Sequence, residues 1–63
     1  MSQQDQEDLL AFEESIDNAK AALMRVYDRA ESRDDGRRMS MALRVRDLLL
    51  DGNRVMRQIV QQE

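Results

Sequence analysis

The sequence predicts an all-α fold, an antiparallel two-helix hairpin that dimerises into a four-helix bundle. Apolar residues recur at steps of three and four along two segments, as in helices that each bury one face. An Asp-Asp-Gly break at 34–36 separates the segments, and the chain has no Pro and only two Gly residues. A chain of 63 residues forms one small domain whose stability as a monomer would be marginal. With no Cys for disulfides, we expect association to supply the missing stability.

The first segment predicts a helix over residues 3–33. Ser2 is placed to cap it, because its hydroxyl can accept the backbone N–H of Asp5. Acidic residues follow in the first turns and Arg29 and Arg33 lie in the last turns, which suits the helix dipole at both ends. The a and d positions of its heptads form an unbroken apolar seam of Leu9, Phe12, Ile16, Ala19, Leu23, Val26 and Ala30.

The second segment predicts a helix over residues 37–61, after a turn at 34–36. Gly36 is expected to take the left-handed backbone that ends the first helix, and an Asp to cap the second. Folding the two seams together sets Ala19 against Gly52, where two small residues permit close approach. Residues 50–53 also form a local turn pattern, so a continuous helix and one kinked or broken at Gly52 both stay open. The predicted seam of the second helix is Met41, Val45, Leu48, Gly52, Val55 and Ile59.

A second apolar row on the second helix is left outside the hairpin in this prediction. It would cover a second copy in a two-fold dimer, or bind an amphipathic helix of another protein. Tyr27 flanks the first seam and would lie at the edge of that contact. The predicted partner or dimer interface is therefore Ala42, Leu49, Met56, Val60 and Tyr27.

Catalysis and metal binding have few suitable residues. The absence of Cys and His removes thiolate and imidazole chemistry, and the carboxylates of Glu13, Glu14 and Asp17 are expected to form a solvated acidic face. No cofactor is expected, and no apolar run is long enough to span a membrane. We therefore expect a cytoplasmic, non-enzymatic protein-protein interaction factor of regulator, inhibitor or chaperone type.

The second helix is rich in arginine, whereas the first helix is mainly acidic. In an antiparallel hairpin the two helices lie side by side, so pairing between them accounts for much of this pattern. The alternative is contact with an acidic partner or phosphate, and it makes a dimer that binds RNA or DNA the second candidate function. The overall charge of −3 argues against indiscriminate nucleic-acid binding. The arginines concerned are Arg37, Arg38, Arg44, Arg46, Arg54 and Arg57.

In length and layout the chain is similar to two kinds of small helical hairpin. One comprises the plasmid copy-number modulators that dimerise into four-helix bundles and bind RNA loops. The other comprises the small hairpin chaperones of bacterial secretion systems, which hold an amphipathic helix of a partner. The similarity lies in architecture alone, so it assigns a role to no individual residue. Besides an interaction factor and a nucleic-acid-binding dimer, the third interpretation of the sequence is a subunit that folds only with its partner.

Overall fold

The structure, a computed structural model, describes residues 2–62 as two helices packed against each other in a hairpin. Helix α1 comprises Gln3–Ser32 and helix α2 comprises Gly36–Gln61. The predicted all-α hairpin is confirmed. Helix α2 continues through Gly52, so the turn pattern at residues 50–53 does not divide it.

The ends of both helices at the hairpin turn are closed by backbone and side-chain hydrogen bonds. Asp34 takes the left-handed conformation, with φ 53°. The backbone N–H of Asp34 donates to the carbonyl of Glu31 at 3.0 Å, and that of Asp35 donates to the carbonyl of Ala30 at 2.9 Å. This pair of bonds is a Schellman motif, which satisfies carbonyls left free by the end of α1.

The prediction that Gly36 would take the left-handed position is wrong. Gly36 is the first residue of α2, and its φ is not positive. Asp34 can replace glycine in that role because a short polar side chain lowers the cost of the left-handed region. The predicted Asp cap is present, since the carboxylate of Asp35 accepts the backbone N–H of Arg38 at 3.1 Å. The predicted cap of α1 is present too, with Ser2 accepting from Asp5 at 3.0 Å.

Helix α1 directs most of its predicted seam toward α2. Leu9, Ile16 and Ala30 are buried, whereas Val26 remains 43% exposed. The core of the hairpin is small, because only five apolar residues of the described chain are buried and none of them is completely enclosed.

Helix α2 is rotated about its axis relative to the prediction. Ala42 and Val60 are each 5% exposed and face the hairpin interior, and Leu49 and Met56 are half-buried. The row expected to face α1 is instead on the outside, at exposures of 41–66%; its large members are Met41, Val45, Leu48, Val55 and Ile59. Adjacent residues are about 100° apart around a helix, so the two rows are neighbours and either satisfies the same spacing.

The hairpin is a flat slab one helix thick. Its Cα atoms extend over 47 × 16 × 6 Å. A stable domain ordinarily consists of two or more packed layers around a core. Here both broad sides of the single layer are open to solvent, so the apolar residues on those sides are available to contact another molecule.

Candidate interaction face

One broad side of the slab carries a continuous line of apolar residues on α2. We call this line the open row; it consists of Met41, Val45, Leu48, Gly52, Val55 and Ile59. No charged or hydrogen-bonding side chain interrupts it. Leu48, at its centre, is 66% exposed, as much as any large apolar residue of the described chain. Single exposed apolar residues are common, but a complete helical row of them is typical of an interface.

Helix α1 contributes to the same broad side. A groove of about 240 Å³ runs between the helices near the turn, lined by Leu23 and Val26 from α1 and by Met41, Ala42 and Val45 from α2, with Arg38 at its end. This lining places the flank of α1 that carries Val26 beside the open row. Phe12 and Ala19 precede Val26 at steps of seven residues, so all three lie along the same flank of α1. Phe12 and Ala19 are half-buried. We call the open row together with Phe12, Ala19 and Val26 the apolar face.

Gly52 is the smallest element of the open row. A methyl group added at Gly52 would meet no atom within 4 Å. The predicted close approach of Ala19 to Gly52 within the hairpin is therefore wrong, and its cause is the rotation of α2. Gly52 instead forms a shallow gap in a line of larger side chains.

A polar cluster crosses the hairpin toward the opposite broad side. One oxygen of Glu13, Oε2, accepts from Arg57 Nη2 at 2.6 Å, Arg57 Nε at 2.9 Å and Asn53 Nδ2 at 3.3 Å. The Arg57 guanidinium lowers the pKa of Glu13, with a smaller contribution from Asn53, and partial burial opposes this only in part. Asn53 and Arg57 lie on α2 away from the open row, so these contacts form with the open row turned outward.

Asn53 is the one side chain of the described chain with a buried polar atom lacking a partner. Its Oδ1 forms no hydrogen bond, although its amide nitrogen donates to Glu13. Leaving such an acceptor unsatisfied costs stability. A polar residue in an otherwise apolar interface is tolerated where it selects one arrangement over another, which suits a position that fixes the rotation of α2.

Four of the six arginines singled out from the sequence pair with carboxylates of the chain. Arg57 pairs with Glu13 across the hairpin, whereas Arg38, Arg46 and Arg54 pair locally with Asp35, Asp47 and Asp51. Pairing between the helices is thus less extensive than predicted. Within residues 2–62, Arg37 and Arg44 form no ion pair, and they line a groove with Ser40 and Met41 at the margin of the open row.

The residues predicted as an exposed partner interface lie mainly inside the hairpin. Ala42 and Val60 are buried, and Leu49, Met56 and Tyr27 are half-buried. The expectation that this row remains outside after the helices meet is wrong, for the same rotational reason. The open row is the apolar seam that the heptad spacing of α2 predicts for the hairpin interior.

The described residues contain no cluster of three or more acidic, His or Cys side chains placed to hold a metal ion. Neither helix is long and apolar enough to cross a membrane.

Compared with known proteins, the chain matches no family model, no curated protein and no solved structure.

Proposed function

We propose that the chain is a non-enzymatic protein-protein interaction factor, of regulator, inhibitor or chaperone type, that binds another polypeptide through its apolar face. The observation that carries this proposal is the open row, in which Met41, Val45, Leu48, Val55 and Ile59 are all exposed along one line of α2. Covering such a line with the apolar side of another helix removes it from water, which is the main driving force of helix association.

The size of the slab supports the proposal. A broad side that extends over 47 × 16 Å offers a partner an extended surface, and standard specific interfaces bury roughly 800 Å² of accessible surface on each partner. The hairpin has a small core of its own, so an added layer would supply the second side of a conventional domain.

The arginines support a secondary role in the same contact. Arg37 and Arg44 lie at the margin of the open row near the turn. Charges at the rim of an interface mainly steer the encounter and set orientation. The other four arginines are paired with carboxylates of the chain, and this pairing argues against nucleic acid as the ligand.

A charge placed in the centre of the open row tests the proposal. Leu48→Asp puts a carboxylate at the middle of the apolar face, whereas Leu50→Asp adds the same charge about 200° around the same helix. Tagged chains would be purified from host cells together with untagged copies and other bound polypeptides. We expect the wild-type and Leu50→Asp chains to retain the same polypeptides, and Leu48→Asp to lose at least nine-tenths of them.

Circular dichroism of the three purified chains serves as the control for folding. If Leu48→Asp retains its bound polypeptides at the wild-type level, the apolar face is not the binding surface. If the wild-type chain retains no polypeptide, including copies of itself, the proposed function is wrong.

A further inference from the structure

We infer that the occupant of the apolar face is a second copy of this chain, packed antiparallel so that the two hairpin turns lie at opposite ends of a four-helix bundle. The inference rests on the proposed function and specifies its partner. In this arrangement α1 lies against α1 of the second copy, and α2 lies against α2. The apolar row, the α1 stripe and the distribution of charge each support this arrangement.

The open row is symmetric about residue 50. An antiparallel contact of α2 with its own copy, centred there, pairs Met41 with Ile59 and Val45 with Val55. It also pairs Leu48 with Gly52, so the exposed Leu48 side chain of one copy faces the open gap at Gly52 of the other. Large side chains alternating with a small one across a contact are what close helix packing requires.

The three residues that α1 contributes to the apolar face, Phe12, Ala19 and Val26, are symmetric about residue 19. Their flank of α1 carries a heptad-spaced stripe that begins at an acidic residue and ends at two basic ones: Asp8, Phe12, Ser15, Ala19, Ala22, Val26, Arg29 and Arg33. Centred on residue 19, an antiparallel contact pairs Phe12 with Val26 and places Ala19 against itself. It also brings Asp8 close to Arg29 of the second copy, which is a favourable ion pair.

The two centres lie at the same level of the hairpin. Glu13 contacts Asn53 and Arg57, which defines where α1 and α2 are level with each other. Moving six residues, or roughly 9 Å, from Glu13 toward the turn reaches Ala19 on α1. The same step from the middle of residues 53–57 reaches residue 49 on α2, one residue from the centre of the open row at residue 50. A single two-fold axis therefore relates both the α1–α1 contact and the α2–α2 contact. Two unrelated sequence patterns would not have to agree in this way.

The charge distribution along the slab favours opposite ends for the two turns. The half next to the turn, residues 20–47, has eight basic and five acidic residues, a net +3. The other half, residues 2–19 and 48–62, has two basic and seven acidic residues, a net −5. Antiparallel stacking lays the positive half of one copy on the negative half of the other.

The alternative stacking, with both turns at one end, is disfavoured by the same charges. It would lay α1 of one copy over α2 of the other, with the positive halves superposed. Arg29 and Arg33 would then lie near Arg37 and Arg44, at the margin where Arg37 and Arg44 already lack a carboxylate partner within the described chain. Like charges held together at an interface rim oppose association.

Cysteine cross-linking tests both the partner and its orientation. The chain has no Cys, so a single substitution introduces the only thiol. In the inferred dimer Ala19→Cys lies on the two-fold axis, whereas two copies of Ala22→Cys are offset by roughly 9 Å along the helices. A disulfide needs Cα atoms within about 7 Å. Under mild oxidation we expect Ala19→Cys to form the linked dimer at least tenfold faster than Ala22→Cys, with equal helicity for both.

Equal rates for the two variants, or no linked dimer with Ala19→Cys, would overturn the antiparallel second copy. A linked dimer that forms only from a mixture of Ala19→Cys and Leu48→Cys chains would overturn the antiparallel arrangement. It would indicate instead a dimer with both hairpin turns at the same end. The proposed function has its own test, because Leu48→Asp would still abolish binding if the face were occupied by a different protein.

Discussion

Glu13 is the residue that joins the two helices by charge. Its carboxylate accepts hydrogen bonds from Arg57 and Asn53, forty or more positions away in the sequence. Arg57 lowers the pKa of Glu13, so the carboxylate form is favoured by folding. A group whose pKa is lower in the folded state stabilises it fully above its unfolded pKa, about 4.3 for Glu, and loses that effect as the pH falls through the folded value.

We therefore predict that Glu13→Gln destabilises the chain near pH 6 and that the difference from wild type shrinks below about pH 4. Thermal unfolding followed by circular dichroism between pH 3 and pH 7 measures this directly. Glu14→Gln is the matched control, since Glu14 is exposed and forms no ion pair within the described chain. A Glu13→Gln difference that stays constant over this pH range would contradict the role given to the Glu13 carboxylate.

The sequence could predict this pairing only in general terms. An acidic first helix beside a basic second helix indicates that some ion pairs cross the hairpin, and Glu13 with Arg57 is one. It does not say which carboxylate meets which guanidinium, because several arginines of the second segment also have an acidic residue nearby in the sequence. Arg54, for example, pairs with Asp51 one turn before it.

At the scale of the elements, the helices and their caps were predictable and the rotation of α2 was not. Ser2 and Asp35 cap as their residue types predict. The rotation could not be predicted because α2 carries two apolar rows about 100° apart. Periodicity gives the width of an apolar face, but it does not say which part of that face packs against the neighbouring helix. The observed rotation buries Ala42 and Val60 and brings Asn53 and Arg57 to Glu13, a contact between residues distant in sequence.

Gly36 provides a test of the turn. Because Gly36 is helical, has no positive φ and has open space at its Cβ position, we predict that Gly36→Ala stabilises the hairpin by about 0.4–1 kcal/mol. Urea unfolding followed by circular dichroism gives the value. The sequence pattern, which places Gly36 in the left-handed region, predicts a loss instead, so a destabilised Gly36→Ala chain would contradict the turn described here.

At the scale of the whole molecule, the central fact is a slab one helix thick with an apolar side. Five buried apolar residues form a small core, and a chain of this length is marginal without further burial. Stacking two slabs would convert the exposed open row into a core and leave the Glu13 cluster on the outside of the bundle. The sequence predicts a four-helix bundle formed through the row of Leu49 and Met56, whereas in the structure that row is half-buried in the hairpin and the open row is the one left uncovered.

The molecular mass in solution, measured by sedimentation equilibrium over a range of concentrations, decides whether a second copy covers the apolar face. We predict about twice the 7.4 kDa chain mass for the wild-type and Leu50→Asp proteins, and the single-chain mass for Leu48→Asp. A wild-type protein that remains a fully helical single chain at every concentration would contradict the claim that a second copy covers the apolar face.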